Sequence, residues 1–214
     1  MSYANYMEQY NKIGYSQDGI THIKNFVNKN DLDILVKFLD ESGDGDSSSF
    51  TQENVPGEIR SLLIHYENAA LSEVLKHYGE KYNIPFKMQA RNHSHLVKWD
   101  MMKGFSMSAH SDSETPSGKP ALVASFYQYN ITSLSYLTDD YLGGELDFPE
   151  FNLTLKPKAG DMLLFPSRYR HRILELKSSH RYTMPMFFQF DVEDTVEAIE
   201  AEDGVNPSDV LFFE

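Results

Sequence analysis

The hydrophobic positions of the N-terminal third follow two helical stripes. The first stripe begins near the Asn30-Asp31 pair, which is typical of a helix cap. Its apolar side chains recur with the spacing of an amphipathic helix: Leu32, Leu35, Val36 and Leu39. A second stripe opens at Pro56-Gly57 and continues to Gly79, where a glycine predicts the helix end. Short apolar runs before the helices, at Ile20–Ile23 and Phe26-Val27, predict strands. We expect these helices to pack on the outside of a sheet.

From Pro85 onward the pattern is typical of β-strands. Residues 121–137 form a long run of apolar and β-branched residues. Alternate positions near its end share one strand face: Thr132, Leu134 and Tyr136. The apolar run Met162–Phe165 lies between a Gly-Asp turn and Pro166, which indicates a short buried strand. The chain is therefore predicted to be mainly β with flanking helices.

Three side chains of this β region have the chemistry of a metal site. His110 and Asp112 are two residues apart, and alternate residues of a strand face the same way, so both could reach one point. His171 opens another predicted strand. Two histidines and one carboxylate form the facial triad suited to non-haem Fe(II), with positions left open.

A single arginine suggests what such a metal would hold. Arg181 follows His171 by ten residues and opens the next predicted strand. Its planar guanidinium matches a carboxylate bidentately, which a metal-bound oxoacid cosubstrate would require. Each residue alone is weak evidence, whereas the combination is specific.

Four motifs fall in order within about residues 95–190 and carry a family resemblance. The first two are the HxD of His110 to Asp112 and a YLTDD…GGEL.FP segment at Tyr136–Pro149. The next is PKAGD with LLFPS, at Pro157–Ser167, before His171 and Arg181. Together they resemble the iron/2-oxoglutarate dioxygenases, and among these the prolyl 4-hydroxylase branch. The N-terminal third and the C-terminal tail do not contribute to the resemblance.

The resemblance implies a fold and a domain organisation. A double-stranded β-helix, or jelly roll, is expected over residues 86–190, with 1–85 as a helical and strand buttress of the same domain. Residues 191–214 would be an acidic tail. The HxD should end the second barrel strand, with His171 on the seventh and Arg181 on the eighth.

The resemblance also implies the roles of the site residues. The catalytic Fe(II) ligands would be His110, Asp112 and His171. The distal carboxylate of 2-oxoglutarate would meet Arg181, with Tyr136 nearby, and Thr183 faces the same way as Arg181. O2 would take the last position on the iron. Ascorbate belongs to the expected cofactors of such an enzyme.

The expected substrate is a proline within a peptide or protein, with 2-oxoglutarate converted to succinate and CO2. Two positions where the family commonly has aromatic residues carry Met101 and Met107, so a free amino acid or another small molecule is the alternative. Residues 111–120 and 138–150 flank the iron ligands and are candidate lids over the substrate.

Two other classes of protein compete with this interpretation. A non-enzymatic jelly-roll binding module would not need the four site residues together. A cupin-type metalloenzyme would use His93 and His95, but the Glu expected after that pair is replaced by Leu96–Trp99. The pair is better explained as sheet surface.

Composition narrows the partners and the compartment. The chain has 214 residues, no Cys and a formal charge of -13, and nine of its acidic residues but no Lys or Arg lie in 191–214. Nucleic acid is disfavoured as a partner, because phosphate binding relies on Lys and Arg. No apolar run approaches a membrane span, and the N-terminus lacks a signal-peptide pattern. A cytoplasmic location is expected.

Overall fold

The computed structural model describes residues 8–42, 48–84, 86–87, 94–100, 106–113, 130–178 and 180–190. Some predictions concern residues outside these ranges: His93, Met101, most of the 111–120 segment and the tail 191–214. Within the described chain, no helix is both long enough and apolar enough to cross a membrane.

Helix α1 spans Lys29–Glu41 and begins one residue before the predicted cap pair Asn30-Asp31. The cap is Asn28, whose side-chain oxygen accepts a hydrogen bond from the Asp31 N–H at 3.0 Å. Phe26-Val27, predicted as a strand, is irregular. Its preceding residue Asn25 has φ 53, a turn conformation that a strand does not accommodate.

Helix α2 spans Gly57–Val74 and continues as a π-helical segment, Leu75–Glu80. The prediction that Gly79 ends the helix is therefore wrong. The segment is held by tertiary contacts, because the buried Tyr78 hydroxyl donates to the Gly19 carbonyl at 2.7 Å. Local helix propensity could not reveal this anchor.

The structure describes thirteen strands, numbered in chain order. They are β1 Thr21–Ile23, β2 Ser48–Thr51, β3 Phe86–Lys87, β4 His95–Asp100, β5 Met107–His110, β6 Ile131–Tyr136, β7 Leu142–Gly143, β8 Leu146–Phe148, β9 Leu153–Leu155, β10 Met162–Pro166, β11 His171–Ile173, β12 Leu176–Ser178 and β13 His180–Phe190. Two of them, β7 and β8, lie within 138–150, so that predicted loop contains two short strands.

The described strands form two antiparallel sheets and a ribbon. The larger sheet has the order β1-β10-β6-β13-β4-β2, with β3 paired to the end of β13. The smaller sheet has the order β5-β11-β8-β9, and β7 pairs with β12. Lys177 and Ser178 both belong to β12.

The larger sheet separates two hydrophobic cores. One face packs against the helices, and its residues include Ile131, Met162, Leu164, Tyr182 and Met184. The other face meets the smaller sheet, and this inner core contains Tyr136, Leu146, Phe148, Leu163, Phe165 and Tyr169. Because β10 is buried on both faces, its sequence is continuously apolar and does not alternate.

A buried lysine joins α1 to the larger sheet. Lys98 of β4 donates from Nζ to the carbonyls of Leu39 at 3.0 Å and Ser42 at 3.2 Å. These carbonyls lie at the C-terminal end of α1, where a cation is favoured. The neighbouring Tyr182 hydroxyl donates to the Asp40 carboxylate at 2.8 Å. The helix is thus fixed to the sheet by polar contacts as well as by apolar packing.

The aspartate of the PKAGD motif ties the N-terminal segment to the turn before β10. Asp161 accepts hydrogen bonds from the Asn25 N–H at 3.0 Å and the Lys158 N–H at 3.3 Å, and it pairs with His22 Nε2 at 2.8 Å. Burial alone would raise the pKa of this carboxyl. The bonds to the ionised form outweigh burial and hold the pKa below its ordinary value.

Replacing Asp161 with Asn should destabilise the fold in a pH-dependent way. The lost charge-assisted bonds are worth about 1.5–3 kcal/mol at neutral pH. Because the folded-state pKa is lowered, this contribution is present above the ordinary pKa of about 3.9 and is lost as the pH falls through the folded value. Urea unfolding at pH 7 and in acid should show the cost shrinking. Asp33→Asn, on the exposed face of α1, is the control and should cost little at either pH.

Candidate active site

The three side chains predicted to bind metal lie together. The ligand atoms of His110, Asp112 and His171 are all within 4.8 Å of one another. His110 Nε2 is 3.5 Å from Asp112 Oδ1, and His171 Nε2 is 3.8 Å from Asp112 Oδ2. Among the described residues, no other group of His, Cys, Asp and Glu has metal-ligand spacing. The donor set is the one that non-haem Fe(II) prefers.

Strand pairing brings the two histidines together. His110 ends β5 and His171 begins β11, and the two residues are direct partners in the register of these strands. Their ring centroids are 4.5 Å apart. The side chain of His171 is buried, whereas that of His110 is 35% exposed, so the cluster opens to solvent on the His110 side.

His110 and Asp112 do reach one point, as expected, but not because they share a strand face. Strand β5 ends at His110, and Asp112 lies in the following turn. This turn is held by Ser167, whose carbonyl accepts hydrogen bonds from the Asp112 N–H at 2.9 Å and the Ser111 hydroxyl at 3.0 Å. A tertiary contact therefore aims the carboxylate, and strand periodicity does not.

Both imidazoles are oriented by backbone carbonyls. His110 Nδ1 lies 3.0 Å from the Ser108 carbonyl oxygen, and His171 Nδ1 lies 3.0 Å from that of Tyr169. A carbonyl can only accept, so each Nδ1 carries the proton. The lone pair of each neutral ring is then on Nε2, the atom nearest Asp112, where a metal would bind.

The charges of the cluster suit a cation. Burial is the largest effect on Asp112 and would raise its pKa, but the two histidines and a hydroxyl donor hold it below the ordinary value. Burial lowers the pKa of His171, which is therefore neutral at pH 7. Burial would also lower the pKa of His110, but the bond and charge of Asp112 raise it above its ordinary value.

A chain of two hydroxyls supports the carboxylate from behind. Thr132 of β6 donates from Oγ1 to Asp112 Oδ2 at 2.6 Å. With its proton committed to the carboxylate, Thr132 accepts from Ser167 Oγ at 2.8 Å. All three atoms are away from bulk solvent, so the carboxylate is held in one orientation.

Arg181 of β13 is buried without an acidic partner among the described residues. It is 1% exposed, and its Nε has no hydrogen-bond partner in the described chain. Arg181 Nη2 donates to the Tyr136 hydroxyl at 3.3 Å, and the guanidinium lies 5.1 Å from the centre of that ring. A buried charge of this kind is costly unless it is paired, and this one fits an anionic ligand.

The GGEL motif makes room for this arginine. Gly143 and Gly144 have φ values of 70 and 68, which favour glycine. A Cβ on Gly144 would lie 3.2 Å from Arg181 Cδ, and one on Gly143 would lie 2.0 Å from the Glu175 carbonyl oxygen. Any larger residue would displace the arginine or the β7–β12 ribbon.

The remaining predicted residues lie at several places on the larger and smaller sheets. Tyr136 lies beside Arg181, and Thr183 is its direct partner between β6 and β13. His95 of the alternative pair lies on β4, where its ring stacks 6.2 Å from Phe187. Met107 is half-buried on β5. Sequence reasoning missed the supporting roles of three polar residues: Thr132, Ser167 and Tyr141.

Only a weak signal in the sequence could have revealed these residues. Ser167 is the last residue of the LLFPS motif, which suggests a functional role. The motif does not indicate which groups form hydrogen bonds with its side chain. Thr132 looks like an ordinary strand position, and its contact with Ser167 joins segments that are far apart in sequence. Tyr141 is buried, but no local pattern predicts what its side chain faces.

A family model matches the part of the chain that contains the site. Residues 95–189 match the family model described as the 2OG-Fe(II) oxygenase superfamily. This segment runs from β4 to β13 and includes every residue of the cluster and Arg181. This segment, a little under half of the chain, is similar to the 2OG-Fe(II) oxygenases.

Its relatives are prolyl hydroxylases. A mimivirus (Acanthamoeba polyphaga mimivirus) protein named "Putative prolyl 4-hydroxylase" is 25% identical over 167 residues, which cover 77% of this chain. The matched segment spans 64% of the relative's length, so the chain covers less than two thirds of that protein.

Solved structures of prolyl hydroxylases share the fold. The viral collagen prolyl hydroxylase of Paramecium Bursaria Chlorella virus-1, in its 2OG complex, has a TM-score of 0.58 at 17% identity over 80% of this chain and 96% of its own. The prolyl-4-hydroxylase of Pseudomonas putida has a TM-score of 0.57 at 14% identity over 86% and 98%.

A third similar structure contains a peptide. It is the Trichoplax adhaerens prolyl hydroxylase in complex with a hypoxia inducible factor oxygen degradation domain peptide fragment. Its TM-score is 0.56 at 16% identity, over 95% of this chain and 97% of the other. The predicted double-stranded β-helix is thereby confirmed.

Removing the hydroxyl behind Asp112 should weaken metal binding. Thr132→Val keeps the shape of the side chain but loses the 2.6 Å bond to Oδ2. Loss of such a supporting bond typically costs about 10–100-fold in metal affinity. The dissociation constant for Mn²⁺, measured by calorimetry without O2, should rise accordingly.

Thr154→Val is the matched control for this change. Thr154 also donates to a carboxylate, Asp147 Oδ1, at 2.7 Å, but outside the cluster. It should leave Mn²⁺ binding unchanged. Equal effects of the two variants would mean that the Thr132 bond supports the fold and not the site.

Proposed function

We propose that the chain is an Fe(II)- and 2-oxoglutarate-dependent hydroxylase of unactivated C–H bonds. One observation carries the proposal: a facial cluster of two histidines and a carboxylate lies in the same barrel as a buried arginine that has no acidic partner among the described residues. The first suits a divalent metal, and the second suits a carboxylate ligand.

Fe(II) would be held by His110, Asp112 and His171, with Nε2 of each imidazole and one carboxylate oxygen as donors. When bound, iron and 2-oxoglutarate supply the oxidising chemistry, in which O2 is consumed, succinate and CO2 form, and the substrate gains a hydroxyl group. The protein contributes orientation. The carbonyls of Ser108 and Tyr169 hold the imidazoles in the binding tautomer.

2-Oxoglutarate would bind through its distal carboxylate to Arg181. The guanidinium offers Nε and its remaining N–H groups to a carboxylate in a fork geometry. Tyr136 accepts one bond from Arg181 and keeps its own proton for donation to the same carboxylate. Thr183 lies on this face of β13 and completes the proposed cosubstrate residues.

The proposed substrate is a proline in a peptide or protein. This extends to the present chain what the names of the similar proteins state, including the one solved with a peptide fragment. The more exposed histidine, His110, leaves the cluster accessible from outside. A free amino acid or other small molecule remains the second candidate, favoured by Met107 at a position where the family commonly has an aromatic.

The setting of the reaction is part of the same proposal. Ascorbate would serve as an accessory reductant, and a reducing, cytoplasmic location agrees with the absence of Cys from the sequence.

Arg181 should set the affinity for 2-oxoglutarate. Loss of charge-assisted bonds at a buried carboxylate in Arg181→Ala should raise the apparent 2-oxoglutarate requirement at least about tenfold. Arg181→Lys should do less harm, because a point charge remains. Succinate formation against 2-oxoglutarate concentration measures both.

Arg172→Ala provides the control for the loss of a guanidinium. Arg172 pairs with Asp147 at 2.7 Å on the outside of the smaller sheet. Its variant should keep the original Michaelis constant. If Arg181→Ala also kept it, the carboxylate would bind elsewhere in the chain.

Proline-rich peptides should gain one oxygen atom at proline in the presence of Fe(II) and 2-oxoglutarate. Free proline should react far more poorly, and a peptide with alanine at the same positions should not react. Mass spectrometry of the peptides, with succinate measured in parallel, tests this.

The outcomes separate the candidate functions. Efficient turnover of free amino acids with every peptide unmodified would contradict the peptide substrate but leave the oxygenase intact. Absence of 2-oxoglutarate turnover with any substrate would instead favour a jelly-roll binding module.

A further inference from the structure

A second tyrosine lies beside Arg181 with its hydroxyl unpaired. Tyr141 is fully buried, and its hydroxyl oxygen has no hydrogen-bond partner among the described residues. Arg181 Nε likewise has no hydrogen-bond partner among the described residues. Buried polar groups in native folds are almost always hydrogen-bonded. The Tyr141 hydroxyl and Arg181 Nε, two neighbouring buried donors without a partner among the described residues, therefore require an explanation.

The position of the Tyr141 ring is fixed by its neighbours. Its Cδ2 would be 3.5 Å from a Cβ on Gly144, the glycine that also abuts Arg181. Lys156 Nζ lies 4.6 Å from the ring centre and donates to the Tyr141 carbonyl. The ring is therefore held between the ribbon and a cation, and its hydroxyl cannot swing out to solvent.

The hydroxyl remains a proton donor. Burial raises the pKa of Tyr141 well above its ordinary value, and the nearby Arg181 charge offsets only part of that rise. A guanidinium has no acceptor atom, so Arg181 cannot take the tyrosine proton.

The three groups together lack an acceptor. Arg181 Nε, the Tyr136 proton and the Tyr141 proton have no carboxylate within the described chain to receive them. A carboxylate offers two oxygens with about four acceptor sites, enough for all three donors. The missing partner is therefore chemically an acid group supplied by a ligand.

We propose that Tyr141 donates a hydrogen bond to the distal carboxylate of 2-oxoglutarate, as a third contact beside Arg181 and Tyr136. The inference rests on the proposed function and adds a determinant of specificity to it. A site with three donors favours a 2-oxo dicarboxylate over a 2-oxo monocarboxylate of the same length, since the latter would leave buried donors unpaired.

Two probes test the contact without catalysis. 2-Oxovalerate has the five carbons of 2-oxoglutarate but a methyl group where the distal carboxylate would be. Dissociation constants of both are measured by calorimetry on the full chain loaded with Mn²⁺, in the absence of O2. Tyr141→Phe should weaken 2-oxoglutarate binding about tenfold and leave 2-oxovalerate binding unchanged.

Thermal unfolding of the unliganded protein provides a second measurement. Tyr141→Phe removes a hydroxyl that has no partner before the ligand binds, so its Tm should equal or exceed that of the original chain. Tyr78→Phe is the matched control. Its hydroxyl donates to the Gly19 carbonyl at 2.7 Å, so its Tm should fall while 2-oxoglutarate binding stays unchanged.

The results distinguish the two levels of inference. If the original chain binds 2-oxoglutarate no better than 2-oxovalerate, the proposed function fails, and this proposal fails with it. If the original chain discriminates but Tyr141→Phe binds 2-oxoglutarate equally well, only the Tyr141 contact is overturned. A lowered Tm in Tyr141→Phe, or equal losses for both probes, would show that the hydroxyl has a partner within the chain, which also overturns the contact.

Discussion

The burial of Arg181 without an acidic partner in the described chain is the constraint on which the site depends. Removing a guanidinium from water costs several kcal/mol, and contacts within the described chain offset this cost only in part. The Tyr136 ring and hydroxyl supply a cation–π contact and one hydrogen bond. The rest of the cost is left for a ligand, which ties the stability of the barrel interior to binding.

Other features follow from keeping that charge inside. Gly143 and Gly144 have positive φ values that favour glycine, and a Cβ on Gly144 would crowd Arg181, whereas one on Gly143 would meet the Glu175 carbonyl. The ribbon of β7 and β12 lies beside the arginine, because a Cβ on Gly144 would contact both Leu176 of β12 and Arg181. The helices and Lys98 support the opposite face of the larger sheet, so that β13 presents Arg181 on a rigid element.

The metal cluster uses a different means of orientation. The two histidines come from paired strands of the smaller sheet, whereas Asp112 is held by the Thr132 hydroxyl of the larger sheet and by the carbonyl of Ser167, which follows β10. The cluster therefore forms only when both sheets are packed face to face. Metal binding and correct packing of the barrel are thus linked, since each favours the other.

The sequence by itself determined the residues of the site and the class of the fold. Period and motif spacing pointed to β strands, the histidine–aspartate–histidine set and Arg181, because ligand chemistry depends on residue type and order. The domain boundaries stay predictions. So do the metal-ligand roles of His110, Asp112 and His171 and the cosubstrate roles of Arg181, Tyr136 and Thr183. Tertiary structure alone decided that Asp112 leaves the strand, that helix α2 runs past Gly79, and that Thr132, Ser167 and Tyr141 surround the site. Each of these is fixed by hydrogen bonds or burial between segments distant in sequence, which local patterns do not encode.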